Sequence, residues 1–200
     1  LWIYVKQVLS GDLGRSYVQN REVGELIAER FGPTLMVSLT ALVIAVTIGT
    51  LIGVYAARHK GTAVDQTICG VSYFFDSTPS FWLGLMLILL FSSILGIFPT
   101  SGMYNLRGNT QGFARFLDLL HHLFLPVLTM VLLNIPYYFR IARNSVLQVM
   151  SEDFIMTLRA TGMSEQRIFN KYVLRNAIIP TVTIVGINLA YMITGVSMIE

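Results

Sequence analysis

The chain has 200 residues, of which 54% are hydrophobic and 12% charged, with a formal net charge of +3 and a mean hydropathy of +0.64. Soluble chains carry about 25% charged residues, so a soluble domain is excluded, and charge-free runs of membrane length make this a polytopic, all-α membrane protein. The small positive charge gives no argument for nucleic acid and is better explained by topology.

Residues 1–32 mix charged and apolar positions and read as a leader on the outer surface. Trp2 and Tyr4 suit an interface, and Val23 to Phe31 has the pattern of a short amphipathic helix entering the membrane. The first span is expected over about 33–57, with Pro33 in its first turn. At 1.5 Å per residue it covers about 36 Å, enough to cross the hydrocarbon with some tilt. Arg58, His59 and Lys60 close it.

A second span is expected over about 68–98. Asp76 and Pro79 interrupt it, either because a new helix starts with Thr78 as its cap, or because one long helix kinks at Pro79. We take the kinked helix. An acid inside a span is a candidate pathway residue, although Asp76 at the membrane edge has capping as a competing role. The single cysteine, Cys69, rules out an internal disulfide and suits packing.

The loop over 99–118 is polar and carries no catalytic motif. His121 and His122 are adjacent, so on a helix they point about 100° apart and do not chelate one ion. A third span is expected over about 123–139, where Asn134 and Pro136 suit packing or a cavity wall. The fourth, about 177–199, is rich in small and weakly polar residues, among them Thr181, Gly186, Asn188, Thr194 and Ser197. Asn188, near mid-span, is the candidate pathway residue there. No initiator Met or signal peptide precedes these spans, and the last residues stop inside an apolar run, which suggests a fragment.

Between the third and fourth spans lies a long loop, 140–176, holding six of the fourteen Lys and Arg residues. That density orients the loop to the cytoplasm. Ser145 to Thr161 reads as a helix ended by Gly162, and Ser164 is placed to cap a second short helix. On that helix Ile168, Phe169, Tyr172 and Val173 share one side, while Arg167, Lys171 and Arg175 form a basic stripe. Such a helix suits either anionic lipid or a partner's groove.

The run RIARNSVLQVMSEDFIMTLRATGMSEQRIFNKYVLRNAIIP resembles the cytoplasmic EAA loop of ABC-transporter permeases, in particular those of dipeptide, oligopeptide and nickel importers. It supplies Arg140 and Arg143, Asp153 with Phe154, then Thr157, Arg159, Ala160 and Gly162, and finally Leu174, Arg175, Asn176, Ala177 and Pro180. GDLGRSY at Gly11 to Tyr17 and PSFWLGLMLILLF at Pro79 to Phe91 are also similar to that family. The acid of the signature is absent (Met156 lies six positions before Gly162), and Leu158 and Thr161 stand where Ala and Lys are usual.

The resemblance implies a bundle of the type I ABC-importer permease kind, with one further span before and one after these four. It implies coupling of a separate ATPase through the loop, by Thr157, Arg159, Ala160, Gly162, Ser164, Arg167, Phe169, Lys171, Leu174, Arg175, Asn176 and Pro180. The implied partners are two ATP-binding subunits, a second homologous permease and an extracytoplasmic binding protein, in the inner or plasma membrane of a bacterium or archaeon. The implied solute is a peptide, nickel, glutathione or an opine. No G-x-x-x-x-G-K-[ST] phosphate loop occurs, so nucleotide chemistry is expected on the partner, and no cofactor, metal or catalytic residue is expected here. A stand-alone secondary transporter or channel is the competing class, and would call for intramembrane charges and an internal repeat. An intramembrane enzyme would need a nucleophile paired with a base.

Overall fold

A computed structural model describes residues 2–105 and 112–195. Arg107, Ser197 and the end of the fourth expected span lie outside the described residues, as do the side chains of Tyr4 and Thr194. Every element among the described residues is helical, apart from one bridge between Arg15 and Glu22. In chain order these are α1 (Trp2–Leu9), α2 (Val23–Arg58), α3 (Ala63–Ser77), α4 (Ser80–Leu87), α5 (Phe113–Met150), α6 (Asp153–Ala160), α7 (Glu165–Arg167) and α8 (Leu174–Gly195). Single π-helical turns extend α4 over Ile88–Ile94 and join α7 to α8 over Ile168–Val173.

The amphipathic segment before Pro33 and the first span form one helix, α2, with Pro33 inside it. The helical pattern of Val23 to Phe31 runs on in phase. Arg21 also braces the first turns, through Glu25 at 3.8 Å and Glu29 at 2.9 Å. Along α2 a small residue recurs every fourth position, at Ala41, Ala45, Gly49, Gly53 and Ala57, all buried. That stripe lets α5 approach until its backbone touches. A Cβ on Gly49 would lie 2.9 Å from Tyr138 Cβ, and one on Gly53 2.6 Å from the Phe139 carbonyl oxygen. Val37, Ala41, Val127 and Val131 extend the same contact toward the N-terminal end of α2.

At the second span the chain breaks rather than kinks. α3 ends at Ser77, Pro79 occupies the position before α4, and the two axes differ by 100°. Pro79 has no N–H to continue the α3 ladder, and the residue before it is pushed to extended backbone; Thr78 has ψ 127°. Thr78 does not cap α4 either. Its hydroxyl donates back to the Phe74 carbonyl at 2.7 Å.

The polar segment after α4 is held down by aromatic contact. Phe98 stacks on Phe124 with ring centroids 4.3 Å apart. His121 Nε2 lies 2.7 Å from the Ile97 carbonyl, and His122 Nδ1 lies 2.8 Å from that of Asp118. The two histidine rings stand 88° apart, and no group of three metal-ligating side chains occurs among the described residues.

Three helices, Val23–Arg58, Phe113–Met150 and Glu165–Leu189, are long and apolar enough to cross a membrane, and the bent pair Ala63–Ser77 with Ser80–Ile94 makes a fourth if counted as one span. α5 has 38 residues, or about 57 Å. It therefore overruns the expected 123–139 at both ends and continues into the expected cytoplasmic loop. The expected helix from Ser145 to Thr161 is accordingly two: α5 stops at Met150, and α6 starts after Glu152, whose backbone is extended at ψ 146°. Asp153, in the first turn of α6, favours that restart by facing its positive end.

Candidate functional site

The end of α5, α6 and the start of the α7–α8 helix fold into a corner with its own apolar core. Ala57, Val146, Ile155, Ile168, Phe169, Val173 and Ala177 are buried together there. Ala57 belongs to α2 and Val146 to α5, so the corner is welded to both. Arg58 adds a cap: its guanidinium lies 4.4 Å from the Phe169 ring centroid.

Gly162 makes the corner. It has φ +78°, its N–H donates to the Arg159 carbonyl at 3.0 Å, and the Met163 N–H donates to Leu158 at 3.3 Å. This pair of bonds is the Schellman helix stop, which favours glycine because an L side chain is strained at positive φ. Leu158 and Met163 both pack on the corner core, supplying the apolar contact that accompanies such a stop. Across the turn, Arg159 grips Glu165 through Nε at 2.6 Å and Nη2 at 3.1 Å. The carboxylate holds the Arg159 guanidinium further above its ordinary range.

Ser164 occupies the position before α7, but its hydroxyl makes no capping bond. Glu165, rather than only facing the helix end, clasps α6. The expected second short helix is likewise not separate, because the π-helical turn carries it without interruption into α8. The wide turn brings Ile168 and Val173, five apart, to the same side, each 1% exposed.

Of the candidate coupling residues, Phe169 is buried and anchors the corner. Leu174 is half-buried. Thr157, Arg159, Ala160, Gly162, Ser164, Arg167, Lys171, Arg175, Asn176 and Pro180 are exposed. Met156 stands 70% exposed beside Phe154 at 40%, giving the face an apolar element where the signature has an acid. Leu158 is drawn inward, and the Thr161 hydroxyl donates to its carbonyl at 2.8 Å.

The three candidate pathway residues are dispersed. Asn134 back-bonds within α5, donating to the Met130 carbonyl at 2.7 Å. Asn188 donates to the buried Tyr138 hydroxyl at 2.9 Å, tying α8 to α5. Asp76 pairs with Arg140 of α5.

A second ion pair escaped the sequence reading. Arg143 Nε and Nη2 each lie 2.8 Å from the Asp65 carboxylate oxygens, which also accept from the Gly61 N–H at 3.0 Å and face Cys69 Sγ at 3.7 Å. The spacing signals the polar face, though not its partner. Asp65, Cys69, Ser72 and Asp76 recur at i, i+4, i+7 and i+11, a polar stripe on one face of α3.

Residues 49–200 match the family described as the binding-protein-dependent transport system inner membrane component. The chain belongs to this family. As a member, it is a multi-pass membrane protein, and its relatives are transport components rather than enzymes. It is 35% identical to the di/tripeptide transport system permease protein DppB of Pseudomonas aeruginosa, over 98% of this chain and 63% of that protein. It is 36% identical to the glutathione transport system permease protein GsiC of Salmonella typhimurium, over 100% and 60%. With the oligopeptide transport system permease protein AppB of Bacillus subtilis the identity is 34%, over 98% and 61%. The chain thus spans about three fifths of the length of these relatives. The resemblance carried by the loop motifs is borne out at the level of the family. The matched region contains the whole corner.

Proposed function

We propose that the chain is part of the permease subunit of an ATP-driven importer that carries peptides, or a peptide-like small solute, across the cytoplasmic membrane. In this reading the exposed face of the corner, from Thr157 through Gly162 to Lys171, docks on a separate ATP-binding subunit. Closure of that subunit on ATP pushes the corner. Because the corner is continuous with α8 and welded to α2 and α5, the push reaches three membrane helices at once. A second permease and an extracytoplasmic binding protein complete the assembly.

The observation that carries the reading is the division of the corner into a buried side built on Ile155, Ile168 and Val173 and an exposed side with Arg167 and Lys171. A surface helix held this firmly, with its cations free of the core, suits a macromolecular groove better than a loose loop on lipid. The peptide class rests on the relatives, which are di/tripeptide, oligopeptide and glutathione transport system permeases.

The test is co-expression of the full-length chain with candidate ATP-binding subunits and purification of the complex, followed by uptake of a labelled dipeptide into proteoliposomes. Charge reversal at Arg167 and Lys171 is expected to abolish ATPase association while membrane insertion is unchanged. Retained association with lost insertion would favour lipid anchoring, and dipeptide transport by the chain without any ATPase would overturn the proposal.

A further inference from the structure

α3 and α5 meet through charge. Two arginines one turn apart on α5, Arg140 and Arg143, reach in opposite directions along α3 to Asp76 and Asp65, which stand eleven residues apart. Charged groups in a membrane helix are costly and are retained where they set registry or switch state.

The two pairs are built differently. Asp65 receives both prongs of Arg143 and the Gly61 N–H, and its side chain is 5% exposed, with that of Arg143 at 20%. Its own backbone is fixed by Thr62, whose side chain accepts from the Asp65 N–H at 3.4 Å. Asp76 receives a single Arg140 nitrogen, the two side chains are 40% and 34% exposed, and it stands three residues before Pro79, at which the chain turns by 100°. Between the pairs, the Ser72 hydroxyl is buried and has no hydrogen-bond partner among the described residues, one turn from Asp76 and an available acceptor for a guanidinium that leaves it.

Resting on the permease reading above, we infer that Asp65–Arg143 is a permanent pivot and Asp76–Arg140 a latch that opens when ATP drives the corner. Arg140, Arg143 and the corner core share α5, so motion at the corner is delivered to both pairs. The buried fork holds. The half-exposed contact, whose partners solvate readily once parted, is the one that yields, and the α3–α4 elbow then swings about Asp65. These four residues position the helices; none is assigned contact with the solute.

The experiment uses the full-length chain in complex with its ATP-binding subunit, in a Cys69→Ser background that keeps a donor beside Asp65. Spin labels at Phe74→Cys and Tyr137→Cys report the latch side, and labels at Val64→Cys and Gln148→Cys the pivot side. Adding a non-hydrolysable ATP analogue is expected to lengthen the latch-side distance by more than about 2 Å, the scale of helix shifts at interfaces, and to leave the pivot side unchanged. Arg140→Gln and Asp76→Asn are each expected to show the lengthened distance without nucleotide, and the swap Asp76→Arg with Arg140→Asp to restore the shorter one. Equal movement on both sides, or an unchanged nucleotide-free distance in both neutral variants, overturns the inference. A chain that binds no ATPase strikes the permease reading instead, and the nucleotide-free comparison still decides the latch.

Discussion

The Arg58 guanidinium sits 4.4 Å from the centre of the Phe169 ring, so the last residue of α2 closes over the corner built from the loop 111 residues later in the chain. Phe169 is 7% exposed and fills the space between α2, α5 and the π-helical turn. Phe169→Ala leaves a cavity there and should cost about 3–5 kcal/mol. Arg58→Ala removes only the cation–π contact, about 0.5–1 kcal/mol at an exposed site. Thermal unfolding of the detergent-solubilised complex should rank the two variants in that order, and equal losses would place the strength of the joint elsewhere.

The stripe of small residues on α2 sets a sharper steric test. At Gly53 a Cβ meets the Phe139 carbonyl at 2.6 Å and Ala142 Cβ at 2.9 Å, whereas nothing lies within 4 Å of a Cβ on Gly70. Gly53→Ala should therefore lose about 1–3 kcal/mol by overpacking, while Gly70→Ala in α3 should be neutral or slightly stabilising through helix propensity. The same unfolding measurement reads both.

Gly162 tests coupling rather than packing. A β-branched residue there has open space around it but the wrong φ, a penalty of roughly 1–2 kcal/mol. Gly162→Val should redirect the α6–α7 turn and separate ATP hydrolysis from uptake, so that the ratio of solute moved to ATP consumed falls while ATPase association persists. An unchanged ratio would show that the turn angle is not transmitted.

Asn188 and Tyr138 provide the one side-chain hydrogen bond between α8 and α5 among the described residues. Tyr138→Phe keeps the ring and removes the acceptor, and should cost about 0.6 kcal/mol, with about 1.7 as the upper end for such bonds in membranes. Asn188→Leu together with Tyr138→Phe should lose less than the sum of the single variants, because each alone leaves a polar group without its partner. Strict additivity would mean that the contact is not energetically real.

What the sequence makes legible here is chemistry that acts locally. Gly162 ends a helix because of its own φ, and Ile168 and Phe169 share an apolar side because they are neighbours on one helix, onto which the π-helical turn then brings Val173. The limits of the elements were less legible for a physical reason. Hydropathy marks where a helix leaves hydrocarbon, not where its hydrogen bonds stop, so α5 passes 139 and runs to Met150 with no signal at the membrane edge. Contacts between distant segments were hidden for another reason. The close approach at Gly49 and Gly53 and the fork of Arg143 on Asp65 depend on which helix lies opposite, and no spacing within α2 or α3 names that neighbour.

The π-helical turn over Ile168–Val173 has a consequence for exchanging parts between permeases. A π turn holds one residue more than an α turn, so the azimuth at which α8 enters the membrane is offset by about 100° from the one that an unbroken α-helix starting at Glu165 would have. A corner transplanted from a permease lacking that extra residue would present Arg167 correctly on its exposed face yet rotate Asn188 away from Tyr138. The usable splice point lies before Ile168, so that the wide turn stays with the α8 whose azimuth it sets.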